Sequence, residues 1–501
     1  MKTNTFFKNT LIILITSLVI KILGLLNKIF ITRLLGQDGM ELYVLTMPSV
    51  ILLVSISSLS LNVVISKIIS ENQITRKYSP KKILKKAILL SLLSSFITSL
   101  ILIIFIKPLT TYLLNNANLF FPILSITILL PFVGISDALR GYFNGIKSMK
   151  HSSISTLIEQ IFRISSTIIL LLLTIKYNII LSVSSTVICL AVGEISSIIY
   201  SIIEIKKLGI EDIPNTKGEV KEILDSAIPT TLSRLVSSFS HFLEPIIYTN
   251  ILLFLLYDQE YIHESYTTIT AYVIPFITLT SFVSNAVATS IIPGITESYA
   301  SNNTKATNYY IDKSIIFTLI PGIFSCIIFY FYAEEYLNLL FNTTNGVELI
   351  KYSVFLMIPY YLQTPLTSIL QSIGKSKLLF ILTITLNITK LSLILLLSLI
   401  PFINVGSLIT SLVIVIFFDT LIMYLFIKKY TKYKLNLDNW LSIFIVFIII
   451  FLITYLFTIL KINYIFSTII LLILTLIISN KLDLITIKSL KSIKNKQKSN
   501  S

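Results

Sequence analysis

The sequence predicts an all-α membrane protein that crosses the bilayer many times. Of its 501 residues, 54% are hydrophobic and only 13% are charged, whereas an ordinary soluble domain carries roughly 25% charged residues. A soluble chain of this length could not cover its surface with so few charges. The apolar runs are continuous, as in residues 443–460, and lack the alternation over about ten residues that is typical of a membrane β-barrel.

Fourteen apolar segments predict fourteen transmembrane helices, because a membrane helix needs about 20 apolar residues. The first segment follows Lys2 and Lys8 and has no small-residue cleavage site, so it is interpreted as a retained span rather than a signal peptide. The predicted segments are 8–32, 42–68, 84–106, 119–143, 154–175, 178–203, 222–255, 267–293, 309–332, 349–372, 377–400, 404–427, 440–460 and 463–480.

The basic residues predict the orientation of the chain. If alternate loops are assigned to alternate sides, the side that holds the N-terminus carries 30 of the 40 lysines and arginines. The other side carries Arg33, Lys107, Lys176 and Lys461. Because cytoplasmic loops are enriched in basic residues, this segregation predicts fourteen spans with both termini in the cytoplasm. Most of the net charge of +16 is then a topology signal, with a basic tail that faces anionic lipids and no nucleic-acid partner.

An internal repeat predicts two similar halves. A shift of 227 residues places 83–116 on 310–343 without gaps, so that Lys86 meets Lys313, and Arg163 later meets Lys390. Each copy holds six spans, so both have the same orientation in the membrane, and such a repeat predicts a V-shaped central cavity between two lobes. The predicted organisation is a first six-helix lobe (1–207), a cytoplasmic linker (208–221), a second six-helix lobe (222–430), two additional helices (431–481) and a basic tail (482–501).

Charged residues inside the spans are the candidate functional groups, because they are costly in a bilayer and usually face a cavity or a partner. Lys21 and Lys28 are seven residues apart and share one face of the first helix, and Arg33 follows near its end. Snorkelling to the membrane surface is the alternative, and it suits Arg33 better than Lys21. The other cations inside the spans are Arg163, Arg234, Lys351 and Lys390, while Arg140 is placed at a span end.

The acids inside the spans are fewer and leave more than one interpretation open. Glu159 is four residues before Arg163, so the two can form an ion pair within one helix. Glu244, Glu194 and Asp419 are candidates for coupling to Na⁺ or H⁺, with polar contacts between helices as the alternative.

A cavity lined by the basic face of the first helix favours an anionic ligand, most naturally a phosphate or diphosphate, and disfavours a cationic drug. The sequence has no Walker motif, HExxH, CxxC or GxSxG, and its outer loops are short. We therefore expect no enzyme activity, no metal and no cofactor. Cys189 and Cys326 are expected to be small core residues.

Two stretches resemble the stage V sporulation protein B family. The first is Arg33-Leu34-Leu35-Gly36-Gln37-Asp38-Gly39-Met40-Glu41-Leu42-Tyr43, with Met47-Pro48 and Ile65-Ser66-Lys67 after it, and the second is Gly141-Tyr142-Phe143-Asn144-Gly145. The family belongs to the multidrug/oligosaccharidyl-lipid/polysaccharide exporter (MOP) superfamily, and its layout of six, six and two spans matches nearly the whole chain. It tends to have arginine at the positions of Lys21 and Lys28, so the charge is kept here while bidentate contacts to a diphosphate are weakened.

The resemblance implies a flippase for undecaprenyl-diphosphate-linked saccharides, such as precursors of the cell wall, the spore cortex or a polysaccharide, with lipid II among them. Lys21, Lys28 and Arg33 would hold the diphosphate, with Arg163, Arg234 and Lys390 as supporting candidates, and cell-wall synthesis proteins would be partners. Three alternatives remain: a cation-coupled multidrug antiporter on the same fold, a polysaccharide polymerase or glycosyltransferase, and a cell-envelope or sporulation scaffold that transports nothing.

Overall fold

The computed structural model describes residues 2–146, 148–209 and 218–484, and within these ranges the regular structure is helical. The predicted tail falls mostly outside this part of the chain, as does most of the predicted linker. The contacts divide the chain into a first unit that ends at Thr267 and a second that starts at Thr268.

The first unit contains nine helices in its described part. They are α1 (Lys2–Ser57), α2 (Leu61–Thr75), α3 (Pro80–Pro108), α4 (Phe120–Leu124), α5 (Ile126–Gly145), α6 (Met149–Thr174), α7 (Ile179–Leu208), α8 (Glu219–Phe254) and α9 (Gln259–Thr267). Helix α6 packs against α7, α2 and α3 pack against α5, and α8 packs along α1. The predicted lobe boundary at 208–221 follows from the sequence repeat and stays a prediction, since α8 is grouped with the first unit by its contacts.

The second unit contains ten helices in its described part. They are α10 (Ile274–Ile277), α11 (Ser281–Ala300), α12 (Thr304–Phe331), α13 (Ala333–Phe341), α14 (Val347–Ser353), α15 (Tyr360–Ser372), α16 (Ser376–Ser398), α17 (Ser407–Thr431), α18 (Leu437–Ile459) and α19 (Tyr464–Lys481). Helix α15 packs between α11 and α17. The additional helix α18 is held on α12 by aromatic contacts, among them Phe331 with Phe451 at 5.0 Å between ring centroids.

The all-helical membrane fold predicted from the sequence is confirmed, while the count of fourteen spans is not. Ten helical stretches in the described residues are long and apolar enough to cross a membrane, or eleven if the bent pair 259–277 and 281–300 is one span. One of the ten, Val19–Gln73, is 55 residues long and covers two predicted segments. Helix α8 is absent from the ten, and the predicted segment 349–372 is divided between α14 and α15.

Gly36 separates the two predicted spans within α1. Its φ of 66° and ψ of −166° interrupt an otherwise continuous helix, and residues with a side chain rarely adopt a positive φ. The glycine in the family-like stretch therefore has a structural explanation. It marks the end of the helical segment that carries Lys21, Lys28 and Arg33.

Gly141 allows α5 to lie directly on the start of α2. A Cβ atom at this position would be 2.8 Å from the carbonyl oxygen of Asn62 and 2.9 Å from that of Leu61. Because both neighbours are backbone atoms, a methyl group would force the helices apart.

Gly141→Ala is expected to destabilise the fold by about 1–3 kcal/mol, measured by thermal unfolding in detergent. Gly24→Ala is the matched control, since nothing lies within 4 Å of a Cβ there, and equal melting temperatures would contradict this packing.

Candidate functional site

The basic residues of α1 differ in their exposure to the surroundings. The side chains of Lys21 and Arg33 are exposed, and that of Lys28 is half-buried. Within the described side chains, neither Lys21 nor Lys28 forms an ion pair with an acid. The charges of Lys21 and Lys28 are therefore available to a ligand.

Two polar atoms beside Lys28 also lack partners. The side-chain oxygens of Asn27 and Thr32 are buried without a hydrogen bond in the described part of the chain. A buried polar atom without a partner costs about 1–3 kcal/mol, so a ligand or water that bonded to these oxygens would be stabilised there. Helices α6 and α8 pack against α1 and supply the other predicted cations of the first unit.

A second group of charges lies in the core of the first unit, on α5, α6 and α7. We call it the Arg140 cluster, and it comprises Asp137, Arg140, Glu159, Arg163 and Glu194. The Arg140 guanidinium donates to Glu159 at 2.6 Å and to Glu194 at 2.8 Å. Arg163 lies 3.2 Å from the second carboxylate oxygen of Glu159. Only 8% of Arg140 and 5% of Glu159 are exposed, so these charges depend on one another for compensation.

Three residues that the sequence analysis singled out, Glu159, Arg163 and Glu194, are members of the Arg140 cluster. The pair of Glu159 with Arg163, predicted from their spacing, is present. Glu194 accepts hydrogen bonds from Arg140 and from the Ser136 hydroxyl, so it is a member of an ion-pair network; its predicted coupling role remains a prediction. Helix α7 approaches closely at Gly193, where a Cβ would be 2.9 Å from the carbonyl oxygen of Glu159.

The sequence analysis placed Arg140 at the end of a span and did not predict its contacts in the Arg140 cluster. The helix that carries it ends at Gly145, and its guanidinium reaches the acids of the two neighbouring helices α6 and α7. Two sequence signals could have revealed this: Asp137 is three residues before Arg140, and Glu194 had no cation assigned to it. The role of Asp137 was missed for the same reason.

The remaining predicted residues of the first unit lie on α8. Arg234 is exposed and within electrostatic range of Asp137. The Glu244 carboxylate lies 3.2 Å from Nδ1 of His241, one turn earlier. The structure thus places Arg163 in the Arg140 cluster through its ion pair with Glu159, and Arg234 within electrostatic range of that cluster.

Glu41, to which the sequence analysis attached no function, joins α1 to α9. Its carboxylate lies 2.8 Å from Nδ1 of His263, which is buried, and accepts from the Asn116 amide at 3.3 Å. One turn earlier, Gln37 donates to Glu264 at 2.7 Å. The end of α1 that follows Gly36 is therefore fastened to α9 by polar contacts.

The second unit holds Lys390 and Asp419, both buried. The Asp419 carboxylate accepts from the Gln363 amide at 2.6 Å, and its other oxygen has no hydrogen-bond partner in the described residues. The sequence shift of 227 residues places Gln363 on Ser136, and each of these two residues donates a hydrogen bond to the acid of its unit. The same shift places Arg140 on Thr367, so the second unit has a neutral side chain at the position that corresponds to Arg140.

Comparison with known proteins gives two family matches. Residues 6–253 match the family described as polysaccharide biosynthesis protein, and residues 238–396 match MatE. Stage V sporulation protein B of Bacillus subtilis (strain 168) is 26% identical over 383 residues, which are 75% of this chain and 74% of that protein. Lipid II flippase MurJ of the same organism is 22% identical over 402 residues, which are 74% of this chain and 73% of the relative.

Solved structures confirm the fold. Lipid II flippase MurJ in an inward closed conformation superposes with a TM-score of 0.70 at 16% identity, covering 93% of this chain and 97% of that one. An inward-facing multidrug resistance MATE family transporter of the MOP superfamily gives 0.62 at 14% identity, covering 84% and 98%. These two solved proteins are named as a flippase and as a multidrug transporter, and they share the helical fold of this chain.

Proposed function

We propose that this chain is a multi-pass membrane transporter of the MOP superfamily, as its resemblance to the stage V sporulation protein B family predicts, and that it moves a lipid-linked diphosphate saccharide outward across the plasma membrane. The carrier is an undecaprenyl diphosphate, and the saccharide is a precursor of the cell wall, spore cortex or a polysaccharide. Both termini lie in the cytoplasm, where basic loops face anionic lipids, and cell-wall synthesis proteins are its partners.

One observation supports this proposal above the others: Lys21 and Lys28 lie on one membrane helix without an acidic partner among the described side chains. Arg140 and Arg163, by contrast, are compensated by Glu159 and Glu194. An uncompensated cation in a membrane helix is costly unless it meets an anion in its working cycle. Lys21, Lys28 and Arg33 therefore bind the diphosphate, whose charge they match.

Three further cations are proposed as additional contacts to the substrate. Arg234 is exposed on α8, which packs along α1, and the Arg163 side chain stays partly exposed while it pairs with Glu159. Lys390, in the second unit, corresponds to Arg163 in the sequence repeat. In an alternating-access cycle these side chains contact the substrate in addition to the three cations of α1.

Coupling to Na⁺ or H⁺ involves Glu244, Glu194 and Asp419. Asp419 is the best supported of them, because it is buried with one amide donor and one oxygen without a partner in the part described. A carboxylate in that setting gains stability from a proton or a small cation.

Depletion of the protein in its native host, followed by quantification of lipid-linked precursors, tests the proposal. We expect one diphosphate-linked precursor to accumulate on the inner leaflet, because its export is blocked while its synthesis continues. Re-expression of the unaltered chain should reverse the accumulation. Unchanged precursor levels in cells that have lost the protein would contradict the proposal.

The second candidate function is a cation-coupled multidrug antiporter, which the MatE match over residues 238–396 favours. It requires acidic side chains that face a cationic drug, whereas Lys21 and Lys28, which have no acidic partner among the described side chains, are positive. Increased drug sensitivity after depletion, with unchanged lipid-linked precursors, would identify this function instead.

A further inference from the structure

The Arg140 cluster carries one more negative charge than positive charge when all its members are ionised. It contains three carboxylates, on Asp137, Glu159 and Glu194, and two guanidinium groups, on Arg140 and Arg163. Such an imbalance in a membrane protein core is relieved by a further cation or by a proton.

Asp137 is the carboxylate that holds the excess charge. Its distance to the Arg140 guanidinium is 4.0 Å, compared with 2.6 Å for Glu159 and 2.8 Å for Glu194. Glu159 has Arg163 as a second partner, and Glu194 has the Ser136 hydroxyl. The Asp137 side chain is also 16% exposed, so it is not fully enclosed by the protein.

The further cation is Arg234. It lies within electrostatic range of Asp137, and the contacts around it explain why. One turn after Arg234, the Ser238 hydroxyl is 2.7 Å from the Ser55 hydroxyl at the end of α1. Two residues later, Ser57 donates to the Leu130 carbonyl of α5 at 3.0 Å, and Asp137 is two turns further along α5. Arg234 is at the same time exposed and a predicted substrate contact.

We propose that Asp137 is a proton-binding site linked to the diphosphate through Arg234. Without substrate, Arg234 compensates ionised Asp137, and when the diphosphate draws Arg234 to itself, Asp137 takes up one proton. Proton binding and substrate binding therefore favour each other. This inference rests on the proposed function, because it assigns Arg234 to an anionic substrate.

The other groups around Asp137 do not supply this compensation. Arg140 on its own helix is shared with two acids, while Glu159 on α6 and Glu194 on α7 are negative themselves. Directly after α1, Ser58 adds a neutral hydroxyl to the surroundings of Asp137. Since substrate binding adds a proton, affinity rises as the pH falls, by at most about tenfold per pH unit for one proton.

Binding of a polyprenyl-diphosphate saccharide to the purified full chain in lipid nanodiscs tests the inference. The probe is a diphosphate diester, so its own phosphates do not titrate near neutral pH. Affinity is measured between about pH 8 and about pH 5, and a pH indicator in weak buffer records proton uptake on binding. The variants are Asp137→Asn and Arg234→Gln, with Asp438→Asn as the control because Asp438 is exposed at the start of α18.

We expect the unaltered chain and Asp438→Asn to bind more tightly at lower pH and to take up about one proton. Asp137→Asn should bind tightly at every pH without proton uptake, and Arg234→Gln should bind weakly with little pH dependence. Binding by the unaltered chain without proton uptake would overturn the inference and leave the proposed function standing, even if Asp137→Asn failed to fold. Absence of binding at any pH would overturn both.

Discussion

Changing Lys21, Lys28 and Arg33 together to alanine is expected to abolish transport while the protein remains folded and inserted. A hydrogen bond to a charged group contributes about 1.5–3 kcal/mol, so the loss of two such contacts lowers affinity for the diphosphate by roughly a hundredfold or more. Folding should change little, because Lys21 and Lys28 have no acidic partner among the described side chains. The measurement is complementation of a depleted strain, with membrane expression checked in parallel.

A control variant that loses the same number of positive charges shows whether the loss of transport comes from the removed binding residues or from an altered membrane topology. Alanine at Lys85, Lys86 and Lys428 also removes three positive charges, from exposed positions at helix ends. This variant should complement the depleted strain. Full complementation by the variant of α1, at normal expression, would contradict the proposed binding role and favour a scaffold that transports nothing.

Arg140→Gln is expected to be the most destabilising single change in the first unit. Removal of one partner from a buried ion pair costs about 3–5 kcal/mol, and here one guanidinium compensates both Glu159 and Glu194. The variant should melt well below the unaltered chain in detergent, or fail to accumulate. Arg76→Gln is the control, since Arg76 is exposed.

A compensating variant shows whether charge is the cause. Adding Glu159→Gln and Glu194→Gln to Arg140→Gln removes the two acids that the arginine had neutralised, and amides need no countercharge. We expect this triple variant to recover part of the lost stability. A melting temperature as low as that of Arg140→Gln alone would indicate that packing, rather than charge, explains the loss.

The sequence analysis predicted correctly what depends on residues near one another in the chain. Apolar runs long enough to span a bilayer predicted the helices. The i, i+4 spacing predicted the ion pair of Glu159 with Arg163, because both residues lie on one helix. The family-like stretch included Gly36, whose backbone angles interrupt α1. The span count was less certain, because α8 carries charges and the segment 349–372 is divided between two helices.

The sequence alone determined an all-helical membrane fold, because hydropathy and the backbone's need for internal hydrogen bonds leave few structures for such a chain. Only the tertiary structure decided which intramembrane charges are compensated and which are available. Arg140 meets acids on α6 and α7 that are 19 and 54 residues away, and no local spacing encodes such contacts. Compensation depends on distances between helices, and these are set when the helices pack.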